Sequence, residues 1–203
     1  MKIFLMLSIV ILGATSAFAV ADPEPNSMGI FFDRSADTNC LTTPAGTPFF
    51  TYLILTNPTP EAINAYELGL EIVVPAGMES QFFELSSNIA DNLVNGVQVG
   101  ITGPLGGDYI VGLAGPLPAQ PAVILHSWQH LLLALFPVEF FIGASSLPSI
   151  PGSAPVFQDA DLTLLMQAVS PTGDFTYPVA SINSDCVVGV EDISFGHVKS
   201  LFR

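Results

Sequence analysis

The spacing of short apolar runs constrains this chain most. They recur at roughly ten-residue intervals, and Gly, Pro, Asn and Asp separate them, a pattern typical of antiparallel all-β domains. The predicted strands cover residues 28–32, 49–56, 66–74, 81–85, 97–101, 109–113, 123–135, 138–142, 161–169 and 177–182. So many short strands favour two stacked sheets over one open sheet. The predicted fold class is therefore an all-β, two-sheet antiparallel sandwich.

The strand over residues 66–74 shows the clearest alternation. Four apolar residues share one face: Tyr66, Leu68, Leu70 and Ile72. Glu67, Gly69 and Glu71 point to the other face, so this strand is predicted to be half-buried with one wet face.

The stretch 122–136 is ambiguous, because its central residues would also propagate as a helix. Val123 and Ile124 open it with β-branched side chains, and Pro121 and Pro137 limit its length. These features and the strands predicted on both sides favour a strand over a helix.

The two ends of the chain differ from the middle. Residues 1–19 are predicted to be a signal peptide, with Lys2, an apolar run over 3–12 and an Ala-Phe-Ala cleavage motif. Residues 20–27 are predicted to be a flexible segment and 28–186 the sandwich domain. Residues 187–203 are predicted to be a short C-terminal helical tail, because Ile193, His197 and Leu201 recur at every fourth position. Packing against the domain and a sorting or docking role both remain open for it.

Export would place the two cysteines, Cys40 and Cys186, in an oxidising compartment. An even number of cysteines in an oxidising compartment, extracellular or periplasmic, is most simply one disulfide bond. Two separate free thiols would fit a cytosolic protein better.

The negative net charge of the chain limits the kinds of partner that it can bind. The chain has 18 acidic and 4 basic residues and a formal net charge of −14, which argues against nucleic acid and anionic membranes. Residues 109–138 carry no full charge, but His126, Gln129 and His130 lie at their centre. We therefore predict no transmembrane segment in the mature chain.

Four oxygen-bearing side chains alternate in the loop after the first strand: Asp33, Ser35, Asp37 and Asn39. Their spacing resembles the first ligands of a calcium loop. Thr38 stands where such a loop needs Gly and Pro44 where it needs Glu, which excludes an EF-hand. An irregular calcium site remains, with a solvated turn as the alternative; no other cofactor is predicted. Asp159 and Asp161 form a second carboxylate pair, for which a solvated strand start is preferred.

Trp128 stands between His126 and His130. On a helix the two imidazoles could hold zinc with His197, but on a strand they lie roughly 13 Å apart, too far for one metal ion. On a strand the three rings could form a sugar-stacking strip, but an apolar strand of this length is more often part of the core.

No catalytic signature is present. Residues 143–147 do not form a nucleophile elbow, and Glu67 and Glu71 lie on one strand, whereas glycosidase carboxylates face each other across a cleft. We predict that the chain is not an enzyme, although a hydrolase site built from distant loops is not excluded by sequence order.

Four Phe doublets are distinctive: Phe31-Phe32, Phe49-Phe50, Phe82-Phe83 and Phe140-Phe141. Neighbouring strand residues face opposite sides, so one ring of each doublet can enter the core while the other needs separate cover. A loop, the terminal helix or another molecule could supply it.

Residues 62–71 (Ala-Ile-Asn-Ala-Tyr-Glu-Leu-Gly-Leu-Glu) and 107–113 (Gly-Asp-Tyr-Ile-Val-Gly-Leu) resemble strands of cohesin-like and related immunoglobulin-like sandwiches of secreted bacterial proteins. Residues 190–203 resemble a C-terminal segment of uncharacterised exported bacterial proteins. The resemblance implies a secreted, non-catalytic module and assigns no site residue.

Two functions follow as hypotheses. The first is a secreted binding module that engages a glycan or another envelope protein. The alternative is a self-associating structural subunit of an extracellular layer or matrix, motivated by the Phe doublets and the low density of charge.

Overall fold

The protein folds into two stacked sheets. The computed structural model describes residues 24–163 and 165–184. The strands are β1 (Ser27–Phe31), β2 (Cys40–Leu41), β3 (Phe49–Thr56), β4 (Ala62–Val73), β5 (Phe82–Ile89), β6 (Gly96–Gln98), β7 (Thr102–Gly103), β8 (Gly106–Pro118), β9 (Ala122–Leu132), β10 (Val138–Gly143), β11 (Val156–Asp159), β12 (Leu165–Gln167) and β13 (Ala180–Ile182). Short 3₁₀ turns cover Glu79–Gln81 and Ala90–Asn92.

The smaller sheet has the strand order β1-β3-β9-β5, and all its pairs are antiparallel. In the larger sheet β4 pairs with β8 on one side and with β11 and β10 on the other. β6 and β7 extend this sheet beyond β8, while β12 follows β11 and β13 follows β10. A parallel pair joins β13 to β2, next to the point where the described chain ends.

The predicted two-sheet sandwich is confirmed, with differences at its edges. The parallel pair departs from a purely antiparallel fold, because β2 and β13 run in the same direction. Of the strand predicted over 97–101 only residues 97 and 98 lie in a strand, β6, and β7 begins after the predicted strand ends. β2 and β11 were not predicted, since such short strands carry no periodicity. The predicted C-terminal helix lies outside the described residues.

The core forms where the inner faces of the two sheets meet. The alternation predicted for β4 holds, since Tyr66, Leu68, Leu70 and Ile72 are all buried between the sheets. Burial of such side chains stabilises a fold by about 1.5–3 kcal/mol each relative to exposure. The other face of β4 lies on the outside of the larger sheet, where Glu71 is exposed as predicted. Glu67, predicted on the same wet face, is instead buried, because the loop over residues 144–155 covers it.

Strand β9 departs from simple alternation because it carries one extra residue. Leu53 pairs with His126, whereas Ile54 pairs with Ile124, so Leu125 has no partner on β3. Such a bulge reverses which residue parity faces the core. Val123 and Leu125 face inward before the bulge, and even-numbered residues face inward after it. The prediction of a strand in this stretch is confirmed.

In the described part of the chain, no helix is long and apolar enough to cross a membrane.

Candidate functional site

The rings of Trp128, His126 and His130 lie inside the sandwich, each only 1% exposed. Trp128 Nε1 donates a hydrogen bond to Tyr109 Oη at 3.0 Å, and the Trp128 and His126 rings stack at 4.5 Å between centroids. The structure thus places these residues in the core, the environment preferred for them on an apolar strand, and they present no surface to a sugar.

Hydrogen bonds hold the two imidazoles inside the core. Nδ1 of His126 lies 2.8 Å from Tyr66 Oη, and its Nε2 lies 2.8 Å from Ser87 Oγ. Nδ1 of His130 lies 3.1 Å from Thr51 Oγ1, whereas its buried Nε2 has no hydrogen-bond partner among the described residues. Burial lowers the pKa of each histidine to about 3, so both are neutral at pH 7.

Asp33, at the start of the predicted calcium loop, already has partners within the loop. Its carboxylate accepts hydrogen bonds from Ser35 Oγ at 2.8 Å and from the backbone amides of Asp37 and Thr38, both at 3.0 Å. The backbone carbonyl of Asn39 accepts from the Ser181 amide at 3.0 Å. Calcium binding here stays a prediction. In the regions that the structure describes, no group of three or more His, Cys, Asp or Glu side chains could hold a metal ion.

Cys40 lies on β2, opposite Ser181 of β13. The described chain ends at Ser184, so Cys186 lies outside the described residues and the disulfide stays a prediction. Cys186 follows four positions after Ile182, which pairs with Leu41, and four extended residues span about 13 Å. This reach is compatible with a bond to Cys40.

A loop over residues 144–155 covers one half of the outer face of the larger sheet. The Glu67 carboxylate accepts hydrogen bonds from the Ser149 amide and Ser149 Oγ, both at 2.6 Å. Asp108 accepts from the Ser146 amide at 2.8 Å. A side chain at Gly69 would meet the Ala144 carbonyl oxygen at 2.8 Å, so glycine lets this loop approach the sheet.

Removal of the Glu67 carboxylate should destabilise this loop. We expect Glu67→Ala to lower the free energy of unfolding by about 2 kcal/mol, because a buried charged acceptor of two hydrogen bonds is lost. Glu71→Ala is the matched control on the same strand face, and since Glu71 is exposed we expect a change below about 0.5 kcal/mol. Urea unfolding of both variants measures the difference; equal values would contradict the anchoring role.

Beside this loop, and partly bordered by it, the same face is open and forms a groove of about 850 Å³, called the sheet groove below. Strands β4, β8 and β10 supply its floor with Gly69, Gly107 and Gly143, and Phe141, Ile101 and Phe175 supply apolar walls. The carboxylate-bearing residues Glu71 and Asp108 also line it.

An uncharged edge borders the sheet groove. Residues 92–107 contain no Asp, Glu, Lys or Arg. Val97, Val99 and Ile101 of this edge are 68%, 71% and 88% exposed. Val97 pairs with Gly112 on β8, so its side chain points to the outer face of the sheet. An edge without charges is open to another protein.

No family model and no curated protein matches this chain. Its strands superpose on a type II cohesin dyad from the adaptor ScaA scaffoldin of Acetivibrio cellulolyticus, with a TM-score of 0.52 and 14% sequence identity, over 79% of this chain and 49% of that one. The fold is a cohesin-like β-sandwich. The cohesin-like sandwich spans about half the length of that dyad.

Two further cohesins share the architecture at low identity. The sixth cohesin from the scaffoldin B of Acetivibrio cellulolyticus, solved in complex with a Cel5 dockerin mutant, matches with a TM-score of 0.47 and 11% identity, over 78% of this chain and 98% of that one. A non-cellulosomal cohesin from Archaeoglobus fulgidus matches with a TM-score of 0.42 and 11% identity, over 84% and 98%. At these low identities, the similarity between this chain and the cohesins is a similarity of fold.

The sequence interpretation did not identify the sheet groove. Its walls come from β10, from the edge at residues 97–101 and from the segment after β12, which are brought together only by the sandwich. One local signal was present, since Val97, Val99 and Ile101 alternate with Gln98 and Gly100 in a run without charge.

Proposed function

We propose that this chain is an exported, non-catalytic module that binds a protein partner in the sheet groove. The observation that carries the proposal is the combination of an open groove, lined by both apolar side chains and carboxylates, with an exposed, uncharged strand edge beside it. Exposed apolar surface of this kind is typical of protein interaction sites. Export is supported by the leader pattern of residues 1–19.

The charges around the sheet groove indicate the chemistry of the partner. Glu71 and Asp108 line the groove together with Phe141 and Ile101. A partner segment that carries apolar residues next to Lys or Arg would bury its apolar side chains and meet these carboxylates. The strongly acidic chain would also speed the approach of a basic partner.

The cohesin-like fold agrees with this role. The dyad of similar fold belongs to a scaffoldin that is named an adaptor. Trp128 and its two neighbouring histidines, the residues named for sugar stacking, are buried in the core. A protein partner is therefore the better supported ligand.

A displayed library of random peptides tests the proposal. We expect the retained peptides to combine apolar and basic residues and to bind less tightly as salt rises, because salt screens attraction between opposite charges. Ile101→Asp and Glu71→Lys should each weaken binding by about tenfold or more, equivalent to about 1.4 kcal/mol. Affinities are measured by biolayer interferometry.

Leu162→Asp is the matched control, since Leu162 is an exposed leucine, 58% exposed, that does not line the sheet groove. It should leave peptide affinity unchanged. Peptides that bind Ile101→Asp, Glu71→Lys and the unaltered protein equally would overturn the proposed site.

A further inference from the structure

The outer face of the smaller sheet carries a second apolar surface, far from the sheet groove. Four of its residues are large, apolar and exposed: Phe50 (47%), Phe83 (40%), Leu85 (48%) and Leu133 (51%). We call them, together with Leu131 of β9, the aromatic face. Two of these residues are the outward rings of Phe doublets, whose partners Phe49 and Phe82 lie in the core.

Strand register brings these side chains together. Phe83 lies opposite Leu131, and Phe50 lies opposite Gln129, two residues earlier on β9. Diagonal neighbours of this kind are about 7–8 Å apart, within reach of aromatic side chains. The aromatic face is thus one continuous surface across β3, β9 and β5.

An ion pair bounds the aromatic face at one end. Arg34 contacts Asp91 and lies over the Tyr52 ring, 5.7 Å from its centroid. Tyr52 in turn stacks on Phe50, with 6.3 Å between ring centroids. Beyond Phe50 the described residues of these three strands place no charged side chain on the outer face.

The aromatic face carries few charges. The only carboxylate within β3, β5 and β9 is Glu84, which pairs with His130 and therefore points inward. The complete chain carries a formal net charge of −14, so contact between two copies through most of the acidic surface is repulsive. Contact through the aromatic face brings no carboxylate of these three strands toward the other copy.

We infer that the aromatic face binds a second copy of this chain, face to face. A surface that contacts itself produces a closed two-fold dimer. Of the residues that the structure describes, only four large apolar side chains are exposed on this face, so the dimer is weak and forms at high concentration. Its salt dependence is opposite to that of the sheet groove, because salt screens the repulsion between two acidic copies and strengthens their association.

Light scattering with size exclusion tests the inference on the full chain, produced with its leader in an exporting host. We expect the average mass to rise toward that of a dimer with concentration. The rise should be larger at about 1 M salt than at about 0.01 M, where the screening lengths are about 3 Å and 30 Å. The double variant Phe50→Ser, Phe83→Ser should raise the dissociation constant by about tenfold or more.

The double variant Leu147→Ser, Leu162→Ser is the control, because these leucines are 77% and 58% exposed and lie outside the aromatic face. It should dimerise like the unaltered chain. A monomer at every concentration, association that weakens with salt, or association that the Phe variant leaves unchanged would each overturn the inference. Dimerisation of a chain shortened to residue 186, at a concentration where the full chain stays monomeric, would also overturn the inference. Residues 187–203, and not a second copy, would then occupy the aromatic face.

Discussion

Acidification should unfold this protein well before most of its carboxylates are protonated. His126 and His130 have a pKa of about 3 in the folded state and 6.5 as the ordinary value, so the unfolded chain binds two more protons in between. The stabilisation is complete above about pH 6.5 and is lost as pH falls toward 3, at about 2.7 kcal/mol per pH unit. By about pH 4.5 the loss reaches about 5 kcal/mol, which is comparable to the stability of many domains.

Glu84 acts in the opposite direction. Burial raises its pKa above 4.5, so protonation of Glu84 adds stability as pH falls through its raised pKa. Glu84 is only about half-buried and is one group against two, so the histidines determine the direction of the change.

Urea unfolding at several pH values measures the histidine contribution. His130→Phe removes one titrating group from a site already lined by Phe49, Phe82 and Phe140, and it also removes the orphaned Nε2. We expect the slope between about pH 6 and 5 to fall from about 2.7 to about 1.4 kcal/mol per pH unit. An unchanged slope in His130→Phe would show that acid acts elsewhere.

Replacement of adjacent phenylalanines in one doublet should give very different results. Phe82 is 2% exposed, and its ring packs against that of His130 with 4.9 Å between the ring centroids. Phe83 is 40% exposed on the other face of the same strand. We expect Phe82→Ala to lower the free energy of unfolding by about 3–5 kcal/mol, since it leaves a cavity in the core. Phe83→Ala should lower it by less than about 1 kcal/mol.

Thermal and urea unfolding of both variants at neutral pH and low protein concentration measure this contrast. Low concentration keeps any loss of dimer out of the Phe83→Ala result. Similar losses in the two variants would mean that the register of β5 against β9 differs from the one described.

Much of the fold could be predicted because its signals are local. The alternation in β4 is complete, and the Pro and Gly positions around it mark turns, so both its type and its buried face followed from the sequence. The two-sheet arrangement followed from the number of such strands.

The remaining parts depend on contacts that are distant in sequence. β2 is two residues long and exists because β13, about 140 residues later, lies beside it. β11 follows a proline-rich loop and forms a strand because the free edge of β4 is available for pairing. Neither the position of β13 beside β2 nor the available edge of β4 produces a pattern in the sequence of the short strand itself.

Site residues were harder to predict than strands for the same reason. A strand with Trp128 between two histidines favours a core layer but is also compatible with an exposed strip, and only the position of β9 between β3 and β5 decides. The aromatic face was anticipated in part, because the Phe doublets require two environments. Which ring is exposed depends on register.

The extra residue in β9 has a consequence for comparing this chain with its structural neighbours. Because Leu125 is an extra residue, the residues that face the core are odd-numbered before the bulge and even-numbered after it. Val123 and Leu125 face inward before it, and His126, Trp128 and His130 face inward after it. A related strand without the bulge would align inward residues with outward ones over half its length unless a gap were placed at Leu125. Two superposable strands can thus share almost no matched positions in sequence.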